Sequence, residues 1–385
     1  MQKRTLTLWL TLMVLLMAGC SSPTPEATPT PTRTAIPVVT PIPLPTVTAT
    51  PAAVAQEATP FPLDVDPLTG LKVEDPGLLE HSPLAIKVSN SPEVRPQSGL
   101  SSADLVFEHF AEGGITRFTA VFYGKMPERV GSVRSGRLID LEIPAMYQAV
   151  FSFSGASSGV KDQMRASDLF PNQIVAPDFG VGEPYFYRVP REGVAFEHTL
   201  FADPESLHAL ASERGVDKRP DFPSLMHFSE ALPQGVGMTD ITYFEVNYLT
   251  GTCTAEWRYD STKGAWLRST VGQPHTDYLT GEQLAFPNVI VLYANHVETD
   301  ILEDTWGGGH MSIQIQVWGS NQALVFRDGK MLQGYWKREA RNDMLNFWDG
   351  AGNPLPLKPG STWFQVVPLD TQSEQLQQGQ LKFTP

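Results

Sequence analysis

Arg117, Arg134 and Arg137 border one glycine-rich turn in an acidic chain, which has 28 basic against 42 acidic residues. Guanidinium forks bind phosphate or carboxylate through paired hydrogen bonds, so this grouping predicts an anion pocket. Gly155, Ala156, Ser157 and Ser158 stand where a strand gives way to a helix, and free amides at a helix start favour an anion. The opposing reading pairs the arginines with Asp104, Glu108, Glu112 and Asp140 as structural ion pairs. Asp104, Glu108 and Glu112 recur every four residues. Two carboxylates could serve acid–base hydrolysis of a glycan, and Asp104 with Glu112 could hold a hard divalent cation such as magnesium. More often such residues cap turns and pair with arginine, and no cofactor is called for. Asn90, Ser135 and His198 join Asp104, Glu108 and Glu112 in a candidate polar pocket.

A second set comprises His275, Asp277, His296, Glu298, Asp300, Glu303, Asp304 and His310. Its spacing fits no compact zinc motif, so a solvated acidic loop is expected, with Trp306-Gly307-Gly308-Gly309 as a hinge. Trp257, Trp266, Trp318, Trp336, Trp348 and Trp363 read mainly as core, with sugar stacking as the alternative. Cys253 reads as a half-buried strand residue rather than a catalytic thiol, because no His or Asn lies near it in sequence.

The elements that must position these groups give an α+β class: a mixed α/β N-terminal domain over 61–225, then a mostly β C-terminal domain over 235–385. Strands are predicted over Leu84–Val88, Leu105–Phe110, Thr116–Tyr123 and Ala149–Phe153, with Glu112-Gly113-Gly114 turning a hairpin. Helical spacing marks Ser135–Met146, which Pro144 kinks or ends, and Val160–Leu169. Asp203-Pro204 reads as a further helix start. Beyond residue 235, strands are predicted over Thr242–Tyr248, Thr254–Tyr259, Ala265–Thr270, Val289–Ala294, Ser312–Trp318, Leu324–Phe326 and Thr362–Val367.

Residues 1–20 have the layout of a cleavable export signal: Lys3 and Arg4, an apolar run from Leu8 to Met17, then Ala18-Gly19-Cys20. The run is shorter than the roughly 20 residues of a membrane span. Residues 21–60 are dominated by Thr and Pro, as in Thr28-Pro29-Thr30-Pro31-Thr32, and read as an extended disordered tether. At about 3 Å per residue it reaches up to about 100 Å. A formal charge of −14 argues against nucleic-acid partners.

Met17-Ala18-Gly19-Cys20 resembles a bacterial lipobox, with Met17 where the consensus prefers Leu. The resemblance implies acylation of Cys20, palmitate included, and a lipid-anchored protein on the extracytoplasmic side of the cell membrane. Two further blocks resemble the YerB-like lipoproteins, a bacterial family whose two domains lack an established function. The first runs Asn90-Ser91-Pro92-Glu93-Val94-Arg95-Pro96-Gln97-Ser98-Gly99-Leu100, through Glu112–Phe118, to Val130-Gly131-Ser132-Val133-Arg134-Ser135-Gly136-Arg137. The second includes Asn288–Val291, Phe326-Arg327-Asp328-Gly329, Trp336-Lys337-Arg338 and Pro359–Trp363. Glu197-His198-Thr199-Leu200 departs from the family's Pro-His-Asn-Leu and leaves His198 as the matched residue. A weaker likeness links Ser102–Val106, Val130–Ser135 and Ser154–Ser157 to the LytR-CpsA-Psr phosphotransferases. The aspartate that family carries directly after the arginine is missing after Arg134, which counts against a shared reaction.

The leading expectation is a non-catalytic envelope lipoprotein that binds a partner protein or an anionic, phosphate-bearing wall polymer. The alternatives are an envelope phosphotransferase or hydrolase using the arginine and carboxylate pocket, and a solute-binding lipoprotein of a transporter. The last requires two comparable α/β lobes, and the β-rich second half argues against it.

Overall fold

The computed structural model describes residues 61–248 and 251–385. The export signal, Cys20 and the tether lie outside them. Apolar alternation in the first half yields β1 (Leu84–Ser89), β2 (Leu105–Phe110), β3 (Thr116–Phe122), β4 (Val150–Ser152) and β5 (Ile174–Val175). β2 and β3 form the expected hairpin, and Gly113 and Gly114 take φ of 70° and 72° at its turn. A side chain there would be strained, which is why two glycines stand together. Helix α1 (Ser158–Ala166) is capped by Ser157, and α2 (Pro204–Glu213) by Asp203, whose carboxylate accepts from the Ser206 amide at 2.8 Å. The helix expected over Ser135–Met146 is reduced to a 3-10 turn, Leu138–Leu141, and one α turn, Ile143–Met146. Pro144 lacks the amide hydrogen that would carry the first turn into the second.

The second half is mostly β: β6 (Tyr243–Val246), β7 (Ala255–Asp260), β8 (Ala265–Thr270), β9 (Asn288–Asp304), β10 (His310–Gln316), β11 (Gly319–Arg327), β12 (Lys330–Arg338), β13 (Asn346–Trp348), β14 (Thr362–Pro368), β15 (Gln372–Gln377) and β16 (Gln380–Thr384). The expected acidic loop after residue 295 is a strand instead. Val297, Thr299 and Ile301 are β-branched, and β9 runs on for 17 residues to pair with β10 as a ribbon. Cys253 is fully buried, yet it sits in a bend before β7 rather than in a strand.

One main sheet of twelve strands has the order β13-β12-β11-β9-β14-β2-β3-β1-β4-β5, with β10 paired to β9 and the short strand Met238–Asp240 paired to β12. It crosses between the two halves where β14 runs parallel to β2, Leu105 opposite Thr362 and Glu108 opposite Gln365. A second sheet carries β8-β7-β6-β16-β15. Its Phe244, Trp257, Trp266 and Phe383 pack with Val106, Phe118 and Trp363 on one face of the main sheet. The opposite face packs Phe107, Val121 and Phe364 with α1 residues Val160 and Met164. Trp257, Trp266, Trp336 and Trp363 are fully buried, whereas Trp318 is 41% exposed.

Candidate functional site

Strand alternation sends polar residues of the β2–β3 hairpin into both buried faces, and each face satisfies them differently. On the second-sheet face Glu108 is fully buried. It accepts from Arg268 of β8 at 2.9 Å, Gln365 at 2.9 Å, Thr116 at 2.9 Å, and Asn90 and Trp363 at 3.2 Å. The ion pair therefore bridges the two sheets, and a buried charge needs this many partners to offset its lost hydration. His275 bonds the Arg268 guanidinium through Nδ1 and donates from Nε2 to Gln97 Oε1 at 2.6 Å. Burial, then the charges of Arg268 and Arg95, hold His275 well below its usual pKa and keep it neutral.

Arg95 closes this network on its open side. Its Nη2 donates to the Asn90 carbonyl at 2.6 Å and the Thr252 carbonyl at 2.8 Å, and Nε reaches Asn90 Oδ1 at 3.3 Å. The Glu108 carboxylate is paired with Arg268, and the positive charge of Arg95 lies near that pair. Arg95 and His275 lie in the lining of a cleft of about 470 Å³, whose walls include Pro92, Pro96, Val271 and Pro274. Sequence reasoning placed Asn90 with Glu108 in a polar pocket, which the structure brings together, but quoted Arg95 and Gln97 only as part of a motif. It missed Arg268, because a lone arginine in an alternating strand gives no sign of where its head points.

On the other face Lys87, His109, Thr119 and Asp140 form a wholly buried cluster. Lys87 Nζ reaches Asp140 Oδ2 at 2.9 Å, Thr119 at 2.9 Å and His109 Nε2 at 2.5 Å. Burial lowers the Lys87 pKa to about 8 against the pull of Asp140. Beside it, Arg117 donates to Glu112 Oε1 at 2.9 Å and to the Ser135 carbonyl at 3.0 Å. Arg137 bonds the same Glu112 carboxylate, with Nε to Oε2 at 2.5 Å, and comes within 3.7 Å of Glu303 from the ribbon. Both arginines are more than nine-tenths buried. Burial lowers the Arg117 pKa to about 10, so it stays charged at neutral pH.

Arg134 stands apart. It is partly exposed, donates among the described residues only from Nη1 to the Glu197 carbonyl at 3.3 Å, and has its pKa lowered to about 10, chiefly by burial. His198 lies beside it with a buried Nδ1 that lacks a hydrogen-bond partner. At the start of α1 the anion is internal. The Asp178 carboxylate takes the Ala156 amide at 3.4 Å and Lys161 at 3.0 Å, and it lies 2.7 Å from where a Cβ on Gly155 would sit. Ser157 is spent on its cap, accepting from the Val160 amide at 3.4 Å.

Asp104 and Glu112 do not share a cation. They occupy opposite ends of the hairpin, and Asp104 accepts the Tyr123 and Gly124 amides at 2.5 and 3.0 Å. Its neighbour is Asp66, hydrogen-bonded to it at the edge of a cavity of about 790 Å³. Burial and mutual repulsion raise Asp104 well above the usual carboxyl range, and burial raises Asp66 to about 6. His275 and Asp277 are likewise structural, with Asp277 accepting the Gly99 and Ser101 amides at 3.2 and 2.8 Å.

The chain matches the family models described as the N-terminal domain of "Protein of unknown function (DUF3048)" over residues 68–217 and its C-terminal domain over 244–364. It is 32% identical over 313 residues to the "Putative lipoprotein YerB" of Bacillus subtilis (strain 168), covering 80% of this chain and 87% of that protein. The crystal structure of YerB protein from Bacillus subtilis superposes with a TM-score of 0.66 at 29% identity, covering 80% of this chain and 97% of that one. Among the described residues no helix is long and apolar enough to cross a membrane.

Proposed function

The chain belongs to the family of unknown function DUF3048, and we propose that it is a lipid-anchored envelope protein that holds a partner protein in the Arg95–His275 cleft. The anchor is the acylated Cys20, the orientation extracytoplasmic, and the role non-catalytic. One observation carries the reading. Arg95, its guanidinium held by the Asn90 and Thr252 carbonyls, lies in the lining of a cleft whose walls are largely apolar. That surface fits a protein segment presenting a carboxylate or carbonyl among apolar side chains. A polyanionic wall polymer fits less well, because the chain carries a formal charge of −14 and Arg117 and Arg137 are already paired with Glu112. A second reading, an anion held by Arg134 and His198, draws on the unpartnered Nδ1 of His198.

The test is a photocrosslinking amino acid placed at Gln273 in the cleft lining, in full-length protein anchored in its membrane. The same probe at exposed Leu376 serves as the control. A discrete protein adduct from Gln273 that is absent from Leu376 and lost in Arg95→Ala supports the proposal. Identical adducts from both positions, or a glycan adduct alone, contradict it.

A further inference from the structure

His81 ends the 3-10 turn Pro76–Glu80 just before β1, His208 lies on α2, and Asp217 follows α2 past Gly215, whose φ is 69°. Residues far apart in sequence are thus drawn together by the docking of the α2 exit against the entry to β1. Asp217 makes that dock, accepting the Ser82 amide at 2.9 Å and the Ser212 hydroxyl at 2.7 Å. Its Oδ2 lies 2.7 Å from His81 Nδ1, and its Oδ1 lies 3.4 Å from His208 Nδ1. One ligand atom from each residue falls within 4.8 Å of the other two.

His208 makes the cluster more than a dock. Both its ring nitrogens are buried, and among the described residues neither makes a well-formed hydrogen bond. The 3.4 Å contact to Asp217 is long and fails hydrogen-bond geometry. A buried imidazole without partners costs free energy that a protein fold ordinarily avoids. Burial also lowers the His208 pKa, while His81, Ser82 and Ser212 hold Asp217 low against the effect of burial. Neutral imidazole and ionised carboxylate are the forms that ligate a metal.

We propose that His81, His208 and Asp217 form a binding site for a divalent cation of the zinc class. Two imidazoles and one carboxylate suit a borderline cation at about 2.0–2.2 Å from each ligand. Ligand atoms now 2.7–4.8 Å apart reach that geometry with small side-chain rotations. Three protein ligands leave a fourth position, which faces the half-exposed His81 side and takes water. The bound ion would tie the α2 exit to the entry of β1.

The test uses full-length, chelator-stripped protein in detergent micelles, titrated with cobalt(II) and then zinc. One equivalent of cobalt should give a visible d–d spectrum that zinc abolishes. His208→Asn and Asp217→Asn should each weaken zinc at least about 100-fold, beyond what loss of an outer partner costs. His227→Gln, at an exposed histidine outside the cluster, should leave it unchanged. His208→Asn removes no hydrogen bond, so it remains testable if Asp217→Asn fails to fold. No cobalt spectrum in the wild type, or unchanged zinc affinity in folded His208→Asn, overturns the proposal.

Discussion

Glu108 is the residue on which most of the buried polar order depends. Removing its charge leaves Arg268 buried without its counter-ion, so Glu108→Ala should destabilise the fold by about 3–5 kcal/mol in urea unfolding. Glu108→Met combined with Arg268→Met should recover much of that loss, because the desolvation of both charges goes with the pair. Asp66 has the opposite sense. Its folded pKa of about 6 lies above the ordinary aspartate value of 3.8, so the folded state binds the proton more tightly. That contribution is present below about pH 4 and lost as pH rises through 6. Wild type should therefore lose up to about 3 kcal/mol relative to Asp66→Asn between pH 4 and 7. A constant difference across that range would show that Asp66 titrates normally.

At the scale of elements, the ribbon of β9 and β10 connects the second half to the arginine cluster of the first. Ile301 lies 2.6 Å from the position a Cβ on Gly159 would take, and Glu303 is buried against Arg137. Gly159→Ala should push the ribbon off α1, costing about 1–3 kcal/mol and raising amide exchange over residues 296–316 more than over β1–β3. Equal exchange in both regions would place the ribbon's anchorage elsewhere. The hairpin, the caps of α1 and α2 and most central strands were legible from alternation, paired glycines and Asp203-Pro204. The ribbon was not, because charged residues between Val297, Thr299 and Ile301 read as solvated loop. They are exposed on a strand instead. Strands β15 and β16 were also missed: Gln372–Gln377 is Gln-rich and forms an exposed edge, and β16 is short, with only Leu381 and Phe383 to mark its inward face.

For the whole molecule, the parallel pairing of β2 with β14 makes one sheet of two family segments. The sequence showed a mixed first part and a mostly β second part. It could not show this join, because parallel partners 257 residues apart leave no local signal. The same limit hid the cleft: Arg95 and His275 come from different segments and meet only through the second sheet. The arginines singled out in the sequence were legible as a group, yet two of the three share the carboxylate of Glu112, which only tertiary packing decides. The most direct measurement is the affinity of full-length protein for the partner captured at Gln273, compared between wild type, Arg95→Ala and Arg134→Ala. Loss of a charge-assisted hydrogen bond at the cleft should weaken Arg95→Ala by about 1.5–3 kcal/mol and leave Arg134→Ala at the wild-type value. Wild-type affinity in a folded Arg95→Ala protein, with binding lost in Arg134→Ala, would contradict the account.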